Sequence, residues 1–307
     1  MKSFRCVPML FLAVVMLFSL SCTQESKNNK INLSEREQIK IAALNESPEG
    51  VFRVAIAGVV SPTETHNSYG QLISFLGEAL HQNTEIVQRG TYAEINNLIK
   101  LRTVDLAFVC TLAYVKGNED FGMELLVVPE VNGQTVYNSY IIVPVNSGIK
   151  SVEELKGKRF AFTDPMSNTG RLSPAYLLYQ MGETSDSFFK EHIFTYSHDK
   201  SIRAVAEGIV DGAAVDSLVY EYMVDNDPEI SDKVRIIHRS QPFGIPPVVV
   251  HPAMDDEVKA SLRSWFLNIN QDETGMETLN DLKVDRFVLG SDVSYESIRT
   301  MEQNLGW

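Results

Sequence analysis

Hydroxyl, amide and glycine residues are concentrated in one short segment, residues 163–174, which reads TDPMSNTGRLSP. The segment follows a strand-like apolar run at 159–162 and precedes a helix-like run at 175–181. The first N–H groups of a helix have no partner inside the helix and carry the positive end of its dipole, so they favour a bound oxyanion. The segment therefore predicts a site for a small anion. The alternative is that Ser167 or Ser173 simply caps the helix, as serine often does.

Strand-like runs alternate with helix-like runs along most of the chain, and these elements must position the segment. Strands are predicted at 52–60, 85–88, 106–109, 125–129, 140–144, 159–162, 192–196, 211–216, 234–238 and 248–250. Helices are predicted at 69–80, 92–101, 202–209, 218–223 and 255–268, with a mostly helical tail to residue 307 and a short helix with a capping box at Ser151 and Glu154. This alternation is typical of right-handed βαβ units, and a run as apolar and β-branched as 52–60 indicates a buried strand of a parallel sheet.

The length of 307 residues predicts two domains. We divide the chain into a signal peptide (1–21), a polar tether (22–50), a first lobe (51–140 and 250–307) and a second lobe (141–249). The predicted fold class is α/β, with two lobes joined by crossings near 140–145 and 245–250 and a tight turn at Asn132-Gly133. Ligands of such sheets bind at the carboxyl ends of the strands, so we expect the site in the cleft between the lobes.

The N-terminus has the layout of a secretory signal, with a basic start, an apolar run at 7–20 and then Ser21-Cys22. The run is short for a membrane span. A cysteine directly after it resembles a bacterial lipoprotein signal and implies that Cys22 is acylated, although Ser19 stands where that signal normally has leucine. We expect export to the periplasm or to the outer face of a bacterial membrane. An uncleaved anchor would leave the protein at the same face.

Charge and cysteine content narrow the class of protein. Loss of residues 1–21 removes two basic residues and no acidic one, which takes the formal charge from −13 to −15 and excludes nucleic acid as a partner. Only Cys22 and Cys110 then remain, so no disulfide scaffold is expected, and the apolar neighbours of Cys110 indicate a buried thiol. No metal-ligand spacing occurs among the 6 histidines, and we expect neither a metal nor another cofactor.

Three stretches together resemble the phosphate, phosphite and phosphonate substrate-binding proteins of ABC transporters. They are SVEELKGK at 151–158, DPMSNTGRLSP at 164–174, and His198-Asp199 followed by AVAEGIVDGA at 204–213. The likeness runs from about residue 52 to residue 307 and implies a type II periplasmic-binding-protein fold whose central cleft closes on its ligand. It also favours a helix that begins within 167–170, with N–H groups facing the cleft and Pro174 inside the helix, over a helix that begins at Ser173.

The resemblance implies a set of ligand-binding residues. In the family a hydroxyl-rich loop that opens a helix wraps the oxyanion, and the matching positions are Ser167, Asn168, Thr169 and Gly170, with Asn168 in place of the usual threonine. Two tyrosines and a histidine of the family match Tyr92, Tyr137 and His198. From the residues alone each has a simpler role, which is packing for the tyrosines and capping for the histidine. Asp216, at a strand end, is expected to cap a helix, with proton acceptance from the ligand as the alternative.

The resemblance also bears on the ligand. Family members that bind aminoalkylphosphonates hold the ammonium group with carboxylates, and Pro246 stands where one of these is expected. An unpaired buried ammonium is costly. The resemblance therefore favours phosphate, phosphite or a simple alkylphosphonate.

The leading hypothesis is a monomeric, non-enzymatic binding protein that delivers a phosphorus oxyanion to an ABC permease. The same cleft would serve a protein that signals to a sensor kinase or chemoreceptor, or a binder of another small organic ligand. An exported hydrolase with Ser167 or Ser173 as nucleophile and His198 as base is the least favoured alternative. Neither serine lies in a G-x-S-x-G motif, and Asp199 is badly placed to orient the adjacent histidine.

Overall fold

The structure is a computed structural model. It describes residues 50–58 and 62–307, with only the backbone for residues 62–68. The predicted signal peptide, Cys22 and nearly all of the polar tether lie outside these residues. Among the helices of the described part, none is long and apolar enough to cross a membrane.

The described elements follow the predicted alternation. The strands are β1 (Val51–Ile56), β2 (Asn83–Val87), β3 (Leu106–Phe108), β4 (Glu124–Glu130), β5 (Val136–Tyr137), β6 (Ser139–Pro144), β7 (Arg159–Phe162), β8 (Glu191–Phe194), β9 (Gly212–Asp216), β10 (Val234–Arg239), β11 (Phe243–Gly244), β12 (Val248–Val250) and β13 (Arg286–Val288). The helices are α1 (Pro62–Leu80), α2 (Tyr92–Lys100), α3 (Thr111–Phe121), α4 (Ser173–Gln180), α5 (Ser185–Phe188), α6 (His198–Ala206), α7 (Ser217–Asn226), α8 (Pro228–Lys233), α9 (Asp256–Asn268), α10 (Glu273–Asp281) and α11 (Glu296–Leu305). All the predicted strands are present, whereas the helices α3, α5 and α8 and the short strands β5, β11 and β13 were not predicted.

A six-stranded sheet and a five-stranded sheet form the two lobes. Their strand orders are β13-β4-β12-β3-β1-β2 and β10-β6-β9-β7-β8. β1 is parallel to both β2 and β3, and β7 is parallel to both β8 and β9, as βαβ units require. β12 and β6 run antiparallel to their neighbours. The sheets are therefore mixed, because each of these two strands enters its sheet directly from the other lobe without a crossover helix.

Two passages of chain connect the lobes, one between β4 and β6 and one between β10 and β12. The first contains the Asn132-Gly133 turn, where both residues have positive φ, as the turn prediction requires. β5 and β11, one in each passage, pair with each other as a small antiparallel ribbon. The exact lobe limits drawn from the sequence stay a prediction.

The strand β1 lies at the centre of the first lobe and is covered on both faces. Val54 is fully buried in a cluster with side chains of α1 and α9, whereas Ala55 is fully buried in a cluster with side chains of α2, α3 and α11. The apolar, β-branched character of this strand thus reflects burial on two sides, as predicted.

The predicted capping box at Ser151 and Glu154 is wrong. Glu153–Leu155 form a single 3₁₀ turn, and the Glu154 carboxylate accepts from the backbone N–H of Lys150 at 2.7 Å. Gly157 has a positive φ, and its N–H donates to the last carbonyl of α5 at 2.7 Å. The backbone just after the turn therefore pairs with a helix distant in sequence, a contact that no local pattern predicts.

Candidate functional site

His198 begins α6 and is held by groups from the ends of two strands. The backbone N–H of Asp216, at the end of β9, donates to its Nδ1 at 3.0 Å, and the hydroxyl of Thr163, after β7, lies 3.1 Å from the same atom. Because Nδ1 accepts a hydrogen bond, the proton of the neutral ring is on Nε2. Burial lowers the pKa of His198 to about 3. The ring is therefore a neutral Nε2–H donor at any physiological pH.

The segment 163–174 begins a helix within the predicted range. Ser167 is the N-cap, and its Oγ accepts from the N–H of Gly170 at 2.9 Å. The next turn, Asn168–Leu172, is π-helical, because the N–H groups of Leu172 and Ser173 reach back to the carbonyls of Ser167 and Asn168. That the first N–H groups face the cleft stays a prediction.

The π-helical turn resolves the conflict over Pro174. A proline has no N–H and would leave the carbonyl of Gly170 without its helical partner. That carbonyl accepts from the backbone N–H of Thr163 at 3.1 Å instead. The helix thus begins at the earlier position, and Pro174 still lies in the first turn of α4, where proline is tolerated.

Gly170 has a packing role in this turn. A Cβ at this position would overlap the side chain of Thr163 and come within 3.0 Å of the Ser167 hydroxyl. The absence of a side chain lets the π-helical turn press against the end of β7.

A chain of polar groups crosses from one lobe to the other beside this turn. The Tyr137 hydroxyl, in β5, lies 2.7 Å from the hydroxyl of Thr111, the first residue of α3, and accepts from the side-chain amide of Asn168 at 3.3 Å. Burial raises the pKa of Tyr137 well above its ordinary value, so the phenol stays protonated. Ser139 fixes the turn further, since its hydroxyl donates to the carbonyl of Thr169 at 2.6 Å.

A second contact between the lobes is made by Asp164. One carboxylate oxygen accepts from the N–H of Tyr92, the first residue of α2, at 3.1 Å, and the other accepts from Met166 at 2.7 Å. Burial raises the pKa of this carboxyl. The contact ties the first backbone N–H of α2 to the second lobe.

Several polar atoms in this region are buried and have no hydrogen-bond partner. Among the described residues, five such side-chain atoms belong to this cluster. They are Tyr92 Oη, Asn168 Oδ1, Thr169 Oγ1, Ser197 Oγ and Asp199 Oδ1. A buried hydroxyl without a partner is destabilising, so such a concentration is expected where a polar ligand supplies the missing partners.

Asp216 has the predicted capping role. Its Oδ1 accepts from the N–H groups of Leu218 and Val219, at 2.7 and 3.4 Å, as the N-cap of α7. Burial raises its pKa to about 7 despite these bonds. The carboxyl therefore changes charge near neutral pH, and proton exchange with a ligand stays a prediction.

The residues brought together here carry no formal positive charge. The basic residue of the segment, Arg171, points elsewhere, with its guanidinium 4.4 Å from the Phe162 ring and 4.8 Å from the Trp307 ring and a bond to Ser185. The described residues contain no group of three or more His, Cys, Asp or Glu side chains placed to hold a metal ion. The hydrogen-bond donors of the site are therefore neutral groups.

All eight ligand-binding residues predicted from the sequence lie in this polar cluster or beside it. The sequence analysis did not identify several residues next to them. Thr111 follows the carboxyl end of β3, a position that itself marks a candidate ligand contact, and Ser197 precedes His198. Cys110 is buried, as predicted. Its pKa is raised by burial and lowered in part by the N–H groups of Asn168 and Leu112, so its thiol forms part of the wall of the site.

The two mixed sheets, the paired passages and the cluster at the strand ends define the class: a two-lobed, type II periplasmic binding protein. Solved structures of this fold agree. A binding protein component of an ABC phosphonate transporter from Pseudomonas aeruginosa superposes with a TM-score of 0.78 at 23% identity, covering 82% of this chain and 85% of that one. PhnD1 from Prochlorococcus marinus, solved with methylphosphonate, gives 0.77 at 20% identity, with 84% and 98% covered.

The family follows from the sequence match. Residues 54–295 match the model of the periplasmic substrate-binding protein of ABC phosphonate transporters, and the chain belongs to this family. The phosphate-import protein PhnD of Mycolicibacterium smegmatis is 29% identical over 230 residues, which are 71% of each protein.

Proposed function

We propose that this protein captures a phosphorus oxyanion, namely phosphate, phosphite or a simple alkylphosphonate, outside the cytoplasm and delivers it to an ABC permease. The observation that carries the proposal is the set of buried, unpartnered hydroxyls of Tyr92 and Thr169 beside the Nε2–H donor of His198. Tyr92 comes from the first lobe and the other two come from the second. A ligand that accepts hydrogen bonds from all three groups would hold the two lobes together and so stabilise the closed state of the hinge.

Neutral donors suit reversible capture. Hydrogen bonds to a charged acceptor are about twice as strong as those between neutral groups, and a buried site strengthens them further. One N–H of the Asn168 side-chain amide donates to Tyr137, and the amide oxygen is buried without a partner, so this side chain presents an acceptor as well as its second N–H. Together with Asp216 it favours a ligand that carries one proton on its phosphorus oxygens. Anchoring through acylated Cys22 and a monomeric state are parts of the same proposal.

The contacts of His198 weigh against the hydrolase alternative. A general base needs a free lone pair and a pKa near the working pH. The only such lone pair of the neutral ring, on Nδ1, accepts from the backbone of Asp216, and the pKa is about 3. Ser167, for its part, caps the helix through its hydroxyl.

The decisive experiment compares Tyr92→Phe and Thr169→Val with a matched control, Tyr295→Phe. The Tyr295 hydroxyl is also buried, but it donates to the carbonyl of Ile245 at 2.8 Å. Calorimetry with phosphate, phosphite and methylphosphonate and denaturation of the ligand-free protein are measured for each variant of residues 23–307.

We expect Tyr92→Phe and Thr169→Val to differ from the control in their effects on both stability and ligand affinity. Removing an unpartnered hydroxyl leaves stability unchanged or raises it, and removing a bond to a charged ligand weakens binding by about 10- to 100-fold. Tyr295→Phe should lower stability by about 1–3 kcal/mol and leave affinity unchanged. No binding of any of the three ligands by the unsubstituted protein would refute the proposal, as would unaltered affinity in both Tyr92→Phe and Thr169→Val.

A further inference from the structure

A cavity of about 300 Å³ lies between the lobes along α7. On the α7 side it is lined by Asp216, Leu218, Tyr222 and Asp225. These residues span two and a half turns, or about 14 Å at the rise of an α-helix. The facing wall comes from the first lobe and the returning passage, including Val131 and Pro246. The cavity is therefore elongated along α7.

The cavity adjoins the candidate anion site at Asp216. Asp216 lines it and also donates its backbone N–H to His198. Val109, which immediately precedes the wall residue Cys110, lines it too. A ligand held by His198 and Thr169 would direct any substituent away from those donors, and this cavity is the adjoining space.

The residues that line the cavity determine which kind of substituent on phosphorus could bind there. Most are apolar or aromatic, contributed by Ile56, Tyr69, Phe108, Leu218, Pro246 and Pro247. Four carboxylates, those of Asp216, Glu221, Asp225 and Asp281, also line it, against one lysine, Lys283. A negatively charged substituent would be repelled. Carboxylates line the cavity together with Pro246, and the exclusion of aminoalkyl groups that the resemblance implied stays a prediction.

We propose that this cavity is a subsite for an organic substituent on phosphorus, and that the ligand class is a phosphorus oxyanion with one extended, predominantly apolar chain that carries no negative charge. The inference rests on the proposed function and deepens it. The chain is joined to phosphorus through carbon, as in a phosphonate, or through oxygen, as in a phosphate monoester. The anion site recognises both through the same oxygens.

The test is calorimetry of the unsubstituted protein with methyl-, butyl- and hexylphosphonate, hexyl phosphate and 5-carboxypentylphosphonate. Each buried methylene should tighten binding about fourfold, so butylphosphonate should bind at least tenfold more tightly than methylphosphonate. The carboxylated chain should bind more weakly than hexylphosphonate by at least tenfold. Comparison of hexyl phosphate with hexylphosphonate distinguishes the two linkages, and a chain-length gain in the phosphonate series supports the subsite.

Two substitutions from opposite walls, Leu218→Trp and Val131→Phe, would fill the cavity. Each should abolish the chain-length gain and keep methylphosphonate affinity within about twofold, while Leu101→Trp, on a side chain that is 71% exposed, should keep the gain. Thermal denaturation verifies that each variant folds. If one of the two cavity-filling variants does not fold, the other still tests the subsite. Affinity that is flat or falls with chain length in the unsubstituted protein overturns the subsite but not the proposed function. Absence of binding by phosphate and methylphosphonate alike overturns both.

Discussion

Replacement of Asp216 by asparagine tests how burial controls the charge of the site. Asparagine keeps the capping oxygen that serves Leu218 and Val219 at the start of α7. It removes only the ionisation. The buried carboxyl has a pKa of about 7 in the folded protein, against 3.8 for an ordinary aspartate, so across this window the folded protein holds a proton that the unfolded chain has released.

Stability must therefore fall as pH rises through the window. The unfolding free energy falls with pH wherever the folded state binds more protons. Ionisation of Asp216 lowers the unfolding free energy only slightly at pH 4 and by its full amount above pH 7. For a pKa raised this far, the full amount is at most roughly 4 kcal/mol. Between pH 5 and pH 8 the advantage of Asp216→Asn over the native protein should grow by about 2–3 kcal/mol.

Urea denaturation at pH 5, 6, 7 and 8 measures this difference. The opposite pH dependence of His198, whose lowered pKa destabilises the folded state as pH falls below its ordinary value, is common to both proteins and cancels. Asp255→Asn is the matched control. Asp255 caps α9 through the same pair of bonds, to Glu257 and Val258, but is exposed.

The control should show no growing advantage with pH. An Asp216→Asn advantage that is the same at pH 5 and pH 8 would refute the argument that burial sets this carboxyl's charge. A parallel trend in Asp255→Asn would do so as well. The same titration predicts that binding of a phosphorus oxyanion to the native protein weakens as pH rises above about 7, because a carboxylate then faces an anion.

Three further substitutions follow from the contacts. Gly170→Ala forces a Cβ into Thr163 and should lower stability by about 1–3 kcal/mol with loss of binding; a fully stable, binding-competent variant would contradict the packing role of this glycine. Arg171→Met removes the stacking of the guanidinium on Trp307 and should cost about 1–2 kcal/mol in thermal denaturation without changing ligand affinity. Asp164→Ala leaves two backbone N–H groups unpaired and should cost about 2–3 kcal/mol, so unchanged stability would show that the contact between the lobes contributes nothing.

Features encoded by neighbouring residues could be predicted from the sequence. Alternating apolar runs located the predicted strands, and the two-residue turn at Asn132-Gly133 has the backbone that its residues favour. The residues alone allowed a helix start at either Ser167 or Ser173, and the family resemblance favoured the earlier start, which the structure shows. The predicted capping box at Ser151 shows that a local signal can be wrong. The predicted helix does not form, and Gly157 pairs with α5 instead.

The sequence by itself determined that the chain alternates strands and helices, that polar residues cluster at 163–174 and that His198 follows a strand. Only the tertiary structure decided the tautomer of His198, the raised pKa of Asp216, the π-helical turn and the unpartnered hydroxyl of Tyr92. Each of these depends on burial or on a hydrogen bond between residues far apart in the chain. The sequence of residues 163–174 identifies the possible hydrogen-bond donors, but the packing of the two lobes decides which of them remain available for a ligand.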